Sequence, residues 1–237
     1  MVNHEEEEED IVWLDESFFI NDNYQLTSFT FGSHVLQLYC LHSASRQLVW
    51  PGAMLLNDYL SKNAEMLRGC SVIELGSGVG ITGMLCSRFC RQILLTDHNE
   101  EVLKARYKFN LSARYILRRN IELNASSENP SCCAALEAEK LEWGNSDQIN
   151  RILHKYPGGF ELILGADIYI LITAKQLLKN RGRGHCKFIL AYVSRAKMMD
   201  LMVISEATRH GMLINEVAGT RSMVGNLEGV IFEITLC

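Results

Sequence analysis

Apolar and polar positions alternate along residues 29–40 (FTFGSHVLQLYC), on either side of Gly32-Ser33. A period of two around a tight turn predicts a β-hairpin. After Trp50-Pro51 the spacing of Met54, Leu55, Leu56, Tyr59 and Leu60 becomes helical over 52–67, and Pro51 suits a first helical turn. Residues 71–75 (SVIEL) form a short buried-strand pattern that runs into Gly76-Ser77-Gly78-Val79-Gly80. A helical stretch over 81–90 follows, then a second strand over 92–96 (QILLT) closed by Asp97. Strand, glycine loop, helix and strand make a βαβ unit. Further on, 99–124 is helical in character, 160–165 and 187–193 are apolar strands, and 172–179 and 197–210 are helices. Residues 212–217 and 230–236 read as two last strands, and Gly219, Gly225 and Gly229 between them allow an antiparallel pair. The alternation predicts an α/β protein with one doubly wound, mostly parallel, Rossmann-like sheet.

The length, 237 residues, suits one such domain over 25–237, with a lead-in over 1–24. Residues 4–10 (HEEEEED) have no apolar face and predict a disordered acidic tail. A net charge of −5 gives no electrostatic support to nucleic-acid binding and suits a basic partner better. No apolar run has the length of a membrane span, and the acidic start is unlike a secretory signal. The eight cysteines include no pair of CxxC units, which predicts reduced thiols, no metal site and a cytoplasmic or nuclear setting.

In an open parallel sheet a ligand sits beyond the carboxyl ends of the strands. Glycines there admit a ligand close to the backbone, and a helix N-terminus offers free amides. The spacing of Gly78, Gly80 and Gly83 also satisfies GxGxxG, so a nicotinamide dinucleotide is a rival. Glu74 tilts the choice away from the dinucleotide, as does the terminal antiparallel strand pair, which the simple parallel dinucleotide fold lacks. A carboxylate two residues before the loop suits the cationic amino-acid end of S-adenosylmethionine, whereas beside a pyrophosphate like charges repel. Asp97 can accept hydrogen bonds from ribose hydroxyls in either case.

The segments VWPGAMLL (49–56), VIELGSGVGITG (72–83), LTDHNEEVL (95–103), NIELN (120–124), LEW (141–143) and LILGADIYI (162–170) together resemble the methyltransferase-like protein-lysine methyltransferases. The resemblance implies a seven-stranded fold, S-adenosylmethionine as cofactor and a protein lysine as methyl acceptor. It further implies that Trp50 borders the cofactor and that Glu74, Gly76, Ser77, Gly78 and Gly80 form the loop around it. Asp97 would hold the ribose hydroxyls, His98 and Trp143 would lie against adenine, and Ala166 would be in the wall. Asp167 would face the acceptor nitrogen, with Tyr169 as its companion. An N-cap of the following helix is the plain alternative for Asp167. Tyr169 stands one place early relative to the family's D-x-x-Y, 171–185 is shortened, and about eleven residues are added between 103 and 120. Other readings stay open: an arginine, histidine or small-molecule acceptor, or, favoured by the short 171–185 segment, a cofactor-binding module without transfer. A monomer is expected.

Overall fold

A computed structural model describes residues 24–41, 49–98, 112–125, 134–168, 170–181, 184–195 and 197–237. The acidic run, Tyr169, Cys132, Cys133 and the stretch that holds most of the added residues lie outside them. The elements in chain order are β1 (Tyr24–Phe31), β2 (His34–Leu41), α1 (Pro51–Lys62), β3 (Ser71–Leu75), α2 (Ile81–Cys86), β4 (Gln92–Asp97) and α3 (Ser112–Ala125). There follow β5 (Ala135–Lys140), α4 (Ser146–Lys155), β6 (Leu162–Ala166), α5 (Leu171–Arg181), β7 (Lys187–Val193), α6 (Lys197–Arg209), β8 (Met212–Glu216), β9 (Ser222–Val224) and β10 (Leu227–Leu236).

The main sheet runs β5-β4-β3-β6-β7-β10-β8, which supplies the seven strands expected, and the three-residue β9 adds an eighth beside β10. Pairings from β5 to β7 are parallel, and β10 is antiparallel to both β7 and β8. The C-terminal antiparallel pair is therefore present, with β10 inserted between β7 and β8. Strand order reverses at β3, whose neighbours are β4 and β6, so a crevice opens at the carboxyl ends of β3 and β6. Successive residues on a strand serve opposite cores. Val72, Ile93 and Leu95 pack with α1, α2 and the hairpin, whereas Ile73 and Leu94 pack with α4, α5 and α6.

The hairpin turns at Gly32, at φ +57°, as a two-residue connection with glycine first requires. Its Leu36 and Leu38 are fully buried. Asn120, fully buried on α3, ties this hairpin to the glycine loop. Its side chain accepts from the Tyr39 amide at 2.7 Å and donates to the Tyr39 carbonyl at 3.2 Å and to the Val79 carbonyl at 3.0 Å.

Two expectations shift, and two elements go unpredicted. The helix after the glycine loop stops at Cys86 rather than 90, where the Ser87 hydroxyl bonds back to the Met84 carbonyl at 2.8 Å. The helix over 52–67 ends at Lys62, and 64–67 is a separate 3₁₀ turn. β5 and α4 were not legible. ALEAEK is rich in helix formers, yet it forms the charged edge strand, where Lys155 of α4 pairs with Glu137 and Glu139 at 2.7 Å each.

Candidate functional site

Local backbone chemistry holds the glycine loop against β4. Gly76, Gly78 and Gly80 all have positive φ. The Ser77 amide donates to the Thr96 carbonyl at 2.9 Å, and the Thr96 amide donates to the Ser77 hydroxyl at 3.1 Å. The Gly78 amide donates to Asp97 Oδ2 at 3.0 Å. Loop and second strand thus form one rigid cradle.

Beside it lies a cavity of about 320 Å³, lined by Trp50, Glu74, Gly76, Ser77, Gly78, Asp97, His98, Trp143, Ala166 and Asp167 together with five apolar neighbours. Every described candidate except Gly80 is in that wall. Gly80 stands behind it as the N-cap of α2, at φ +85°, where a Cβ would come 2.5 Å from Leu117 Cδ1. Its requirement is backbone conformation and packing. Val49, Ala53, Val79, Ile81 and Ile168 complete the lining. They were missed because an apolar wall residue has the same pattern as a core residue. Only the position of Ile168 directly after Asp167 could have flagged one of them.

Glu74 is almost wholly buried, and one of its oxygens accepts from the Gly83 amide in the first turn of α2 at 3.0 Å. Burial pushes its carboxyl up to about 7, with the charge of Asp97 adding to the effect, while hydrogen bonds from Thr82, Gly83 and Ser77 oppose it. It is a carboxyl poised to ionise for a cationic ligand. At the Asp97 end, His98 Nδ1 lies 3.2 Å from Asp97 Oδ1, and the His98 ring is 5.6 Å from that of Trp143. Trp143 is half exposed, and its Cζ2 would lie 3.8 Å from a Cβ on Gly76, so the indole lies across the loop.

The opposite end is built around Asp167. It is the one described non-glycine residue with positive φ, at +54°. Its side chain is 3% exposed. Oδ2 accepts from the Gly52 amide at 2.8 Å, and Oδ1 accepts from the Val193 amide at 3.0 Å. Asp167 is therefore a helix cap, but for α1, 115 positions earlier, rather than for the helix that follows it. The fit explains the tryptophan-proline-glycine entry. Pro51 has no amide to satisfy, the Gly52 amide is the one capped, and a Cβ on Gly52 would lie 2.7 Å from Asp167 Cγ. Trp50, half exposed at the start of α1, carries the Arg195 guanidinium 4.4 Å over its ring.

The donor set fits S-adenosylmethionine. Three carboxylates line the site of a ligand that bears a sulfonium and an ammonium beside its own carboxylate. The positive-φ glycines leave room where side chains would intrude, and two indoles offer faces to an adenosine.

A family model described as lysine methyltransferase matches residues 39–197. Over 164 residues the chain is 34% identical to the mouse protein N-lysine methyltransferase METTL21A, covering 66% of this chain and 64% of that protein. It is 31% identical over 130 residues to the EEF1A lysine methyltransferase 3 of Xenopus tropicalis, covering 55% and 48% respectively. The chain thus spans less than two thirds of the length of these relatives. Among solved structures, the T. thermophilus 16S rRNA methyltransferase RsmC, in complex with AdoMet and guanosine, superposes with a TM-score of 0.54 at 17% identity. That match covers 90% of this chain and 51% of that one, and it bears on the fold alone.

Proposed function

Because this chain belongs to the lysine methyltransferase family, we propose that it uses S-adenosylmethionine to methylate a lysine side chain of a protein substrate. The observation that carries the reading is the crevice at the β3–β6 reversal, where Glu74, the glycine loop, Asp97 and both indoles line one cavity.

When bound, S-adenosylmethionine supplies an electrophilic methyl group on a sulfonium. That methyl group would pass to the lone pair of an acceptor amine, with the sulfur taking the bonding electrons as leaving group and a methylammonium as product. The amine must be unprotonated beforehand, so its proton leaves to water or a base. Residues of this chain contribute by holding the reactants in line. The glycine cradle, Glu74 and Asp97 fix the cofactor, and the Asp167 cap fixes α1 with Trp50 at the rim. Asp167 offers negative charge to the transition state, but both its oxygens already serve amides, so its role is electrostatic and architectural.

That commitment of Asp167 also favours a second reading, a module that binds cofactor without transferring methyl groups. Incubation of the protein with methyl-labelled S-adenosylmethionine and cell extract separates the two. Label on a lysine is the expected result. Label on arginine, histidine or a small molecule would change the acceptor class, and cofactor binding without label would favour the module. A cytoplasmic or nuclear setting is part of the proposal, supported by the free thiols of Cys40, Cys70, Cys86, Cys90, Cys186 and Cys237.

A further inference from the structure

The amino-acid end of S-adenosylmethionine is a zwitterion, so one site must satisfy an ammonium and a carboxylate a few ångströms apart. The described cavity lining answers only half of that need. Glu74, Asp97 and Asp167 are carboxylates, the lining contains no lysine or arginine, and its one histidine, His98, lies against Asp97 at the other end. A ligand carboxylate entering such a wall would find no lysine or arginine in it and would be repelled by its carboxylates where they are charged.

A cation held at the Trp50–Asp167 side of the cavity, just outside its lining, is Arg195, in the segment between β7 and α6. Two lining residues hold it. Its guanidinium carbon lies 4.4 Å over the Trp50 ring, and Nη2 lies 3.6 Å from Asp167 Oδ2. Stacking fixes the plane of the fork. The Asp167 contact is longer than a charge-assisted hydrogen bond, and half of the Arg195 side chain is exposed, so donors of the fork are left for another acceptor. We propose that Arg195 binds the carboxylate at the amino-acid end of S-adenosylmethionine, opposite Glu74, which takes the ammonium. The assignment rests on the proposed cofactor. It gives the Arg195–Trp50–Asp167 group a job at the rim: Asp167 anchors α1, α1 presents Trp50, and Trp50 orients the guanidinium toward the ligand.

The test is calorimetric binding of two probes, S-adenosylmethionine and decarboxylated S-adenosylmethionine, to the wild type and to Arg195→Met and Arg195→Lys. Wild type should prefer the carboxylated probe by about 10- to 100-fold, the value of one charge-assisted hydrogen bond. Arg195→Met should abolish that preference while binding the decarboxylated probe within about threefold of wild type. Arg195→Lys keeps the charge and loses the fork, so it should retain part of the preference, and it carries the comparison if the methionine variant does not fold. Equal weakening of both probes would overturn the proposal, because Arg195 would then act only by packing Trp50 and Asp167. Unchanged affinity for S-adenosylmethionine would overturn it too, and would leave Arg195 free for an acidic residue of the substrate. If wild type bound neither probe, the cofactor reading itself would fall, and this one with it.

Discussion

The two ends of the cavity are built from contacts of very different reach. At the Asp97 end the stabilising bonds join residues close in the chain: Gly78 to Asp97 and Thr96 to Ser77 across 19 positions, and Gly83 to Glu74 across nine. At the Trp50 end Asp167 reaches Gly52 across 115 positions and Val193 across 26. The first end is a βαβ unit that carries its own ligand chemistry, and it is close to complete once that unit has formed. The second exists only when α1, β6 and β7 have met, so it is architecture before it is chemistry. Substitutions at the two ends should therefore fail differently, the distal end losing the fold and the local end losing the ligand.

The largest expected effect tests that contrast directly. Asp167→Ala leaves the Gly52 and Val193 amides without partners, and Arg195 without its carboxylate. It should cost about 3–5 kcal/mol in urea unfolding. Asp167→Asn keeps one acceptor and turns an NH₂ toward the other amide, so it should fall between the two. A wild-type midpoint for Asp167→Ala would dissolve the distinction between the ends.

Reach also explains what was legible in the chain. The glycine loop, Glu74 and Asp97 were readable because their spacing is the chemistry: one turn after one strand, one strand later. Trp50 and Trp143 were readable only by resemblance, since an isolated tryptophan carries no sign of whether it lines a cavity or fills a core. Asp167 was noticed, but the motif pointed it at an acceptor. No local pattern shows that an aspartate caps a helix more than a hundred residues away, although Pro51-Gly52 at the start of α1 was half of that signal. β5 stayed hidden because an edge strand written ALEAEK is made acceptable by its position and its ion pairs with Lys155, not by propensity.

Glu74 joins stability and ligand affinity in one residue. Its folded-state carboxyl titrates near 7 against an ordinary value of 4.5. An acid with a raised folded pKa keeps its stability below the unfolded value and loses it as pH rises through the window from 4.5 to 7. About 3 kcal/mol is lost across that window. Glu74→Gln keeps an acceptor for the Gly83 amide and removes the titration. The free variant should therefore gain on wild type by about that amount between pH 4.5 and pH 8 in chemical unfolding, while its affinity for S-adenosylmethionine falls. In wild type the same affinity should climb with pH up to about 7, as the carboxylate forms, and then level off. A flat difference between variant and wild type across that range would mean that Glu74 is ionised throughout.

Asp97→Ala should be nearly silent in unfolding relative to Asp167→Ala, since the rest of the cradle survives through Ser77 and Thr96. It should weaken S-adenosylmethionine binding by about 1.5–3 kcal/mol for each charged hydrogen bond lost. Calorimetry that returned the wild-type dissociation constant would remove Asp97 from the site and leave it only a loop-fastening role at Gly78.

The smallest effect belongs to His98, and it marks where the local end stops. His98 is largely exposed, and its ring meets Trp143 at 5.6 Å with a 53° tilt, a contact that water can share. Trp143 by contrast lies across Gly76 and so covers the loop itself. His98→Ala should therefore cost only about 0.5 kcal/mol in cofactor affinity, whereas Trp143→Ala should cost several times as much, because a ligand stacked there would lose an aromatic face and gain solvent. The double variant separates two roles for His98. If His98 acts only by steadying the indole, its removal should have no further effect once Trp143 is gone, whereas an undiminished cost in the Trp143→Ala background would show His98 touching the ligand on its own account.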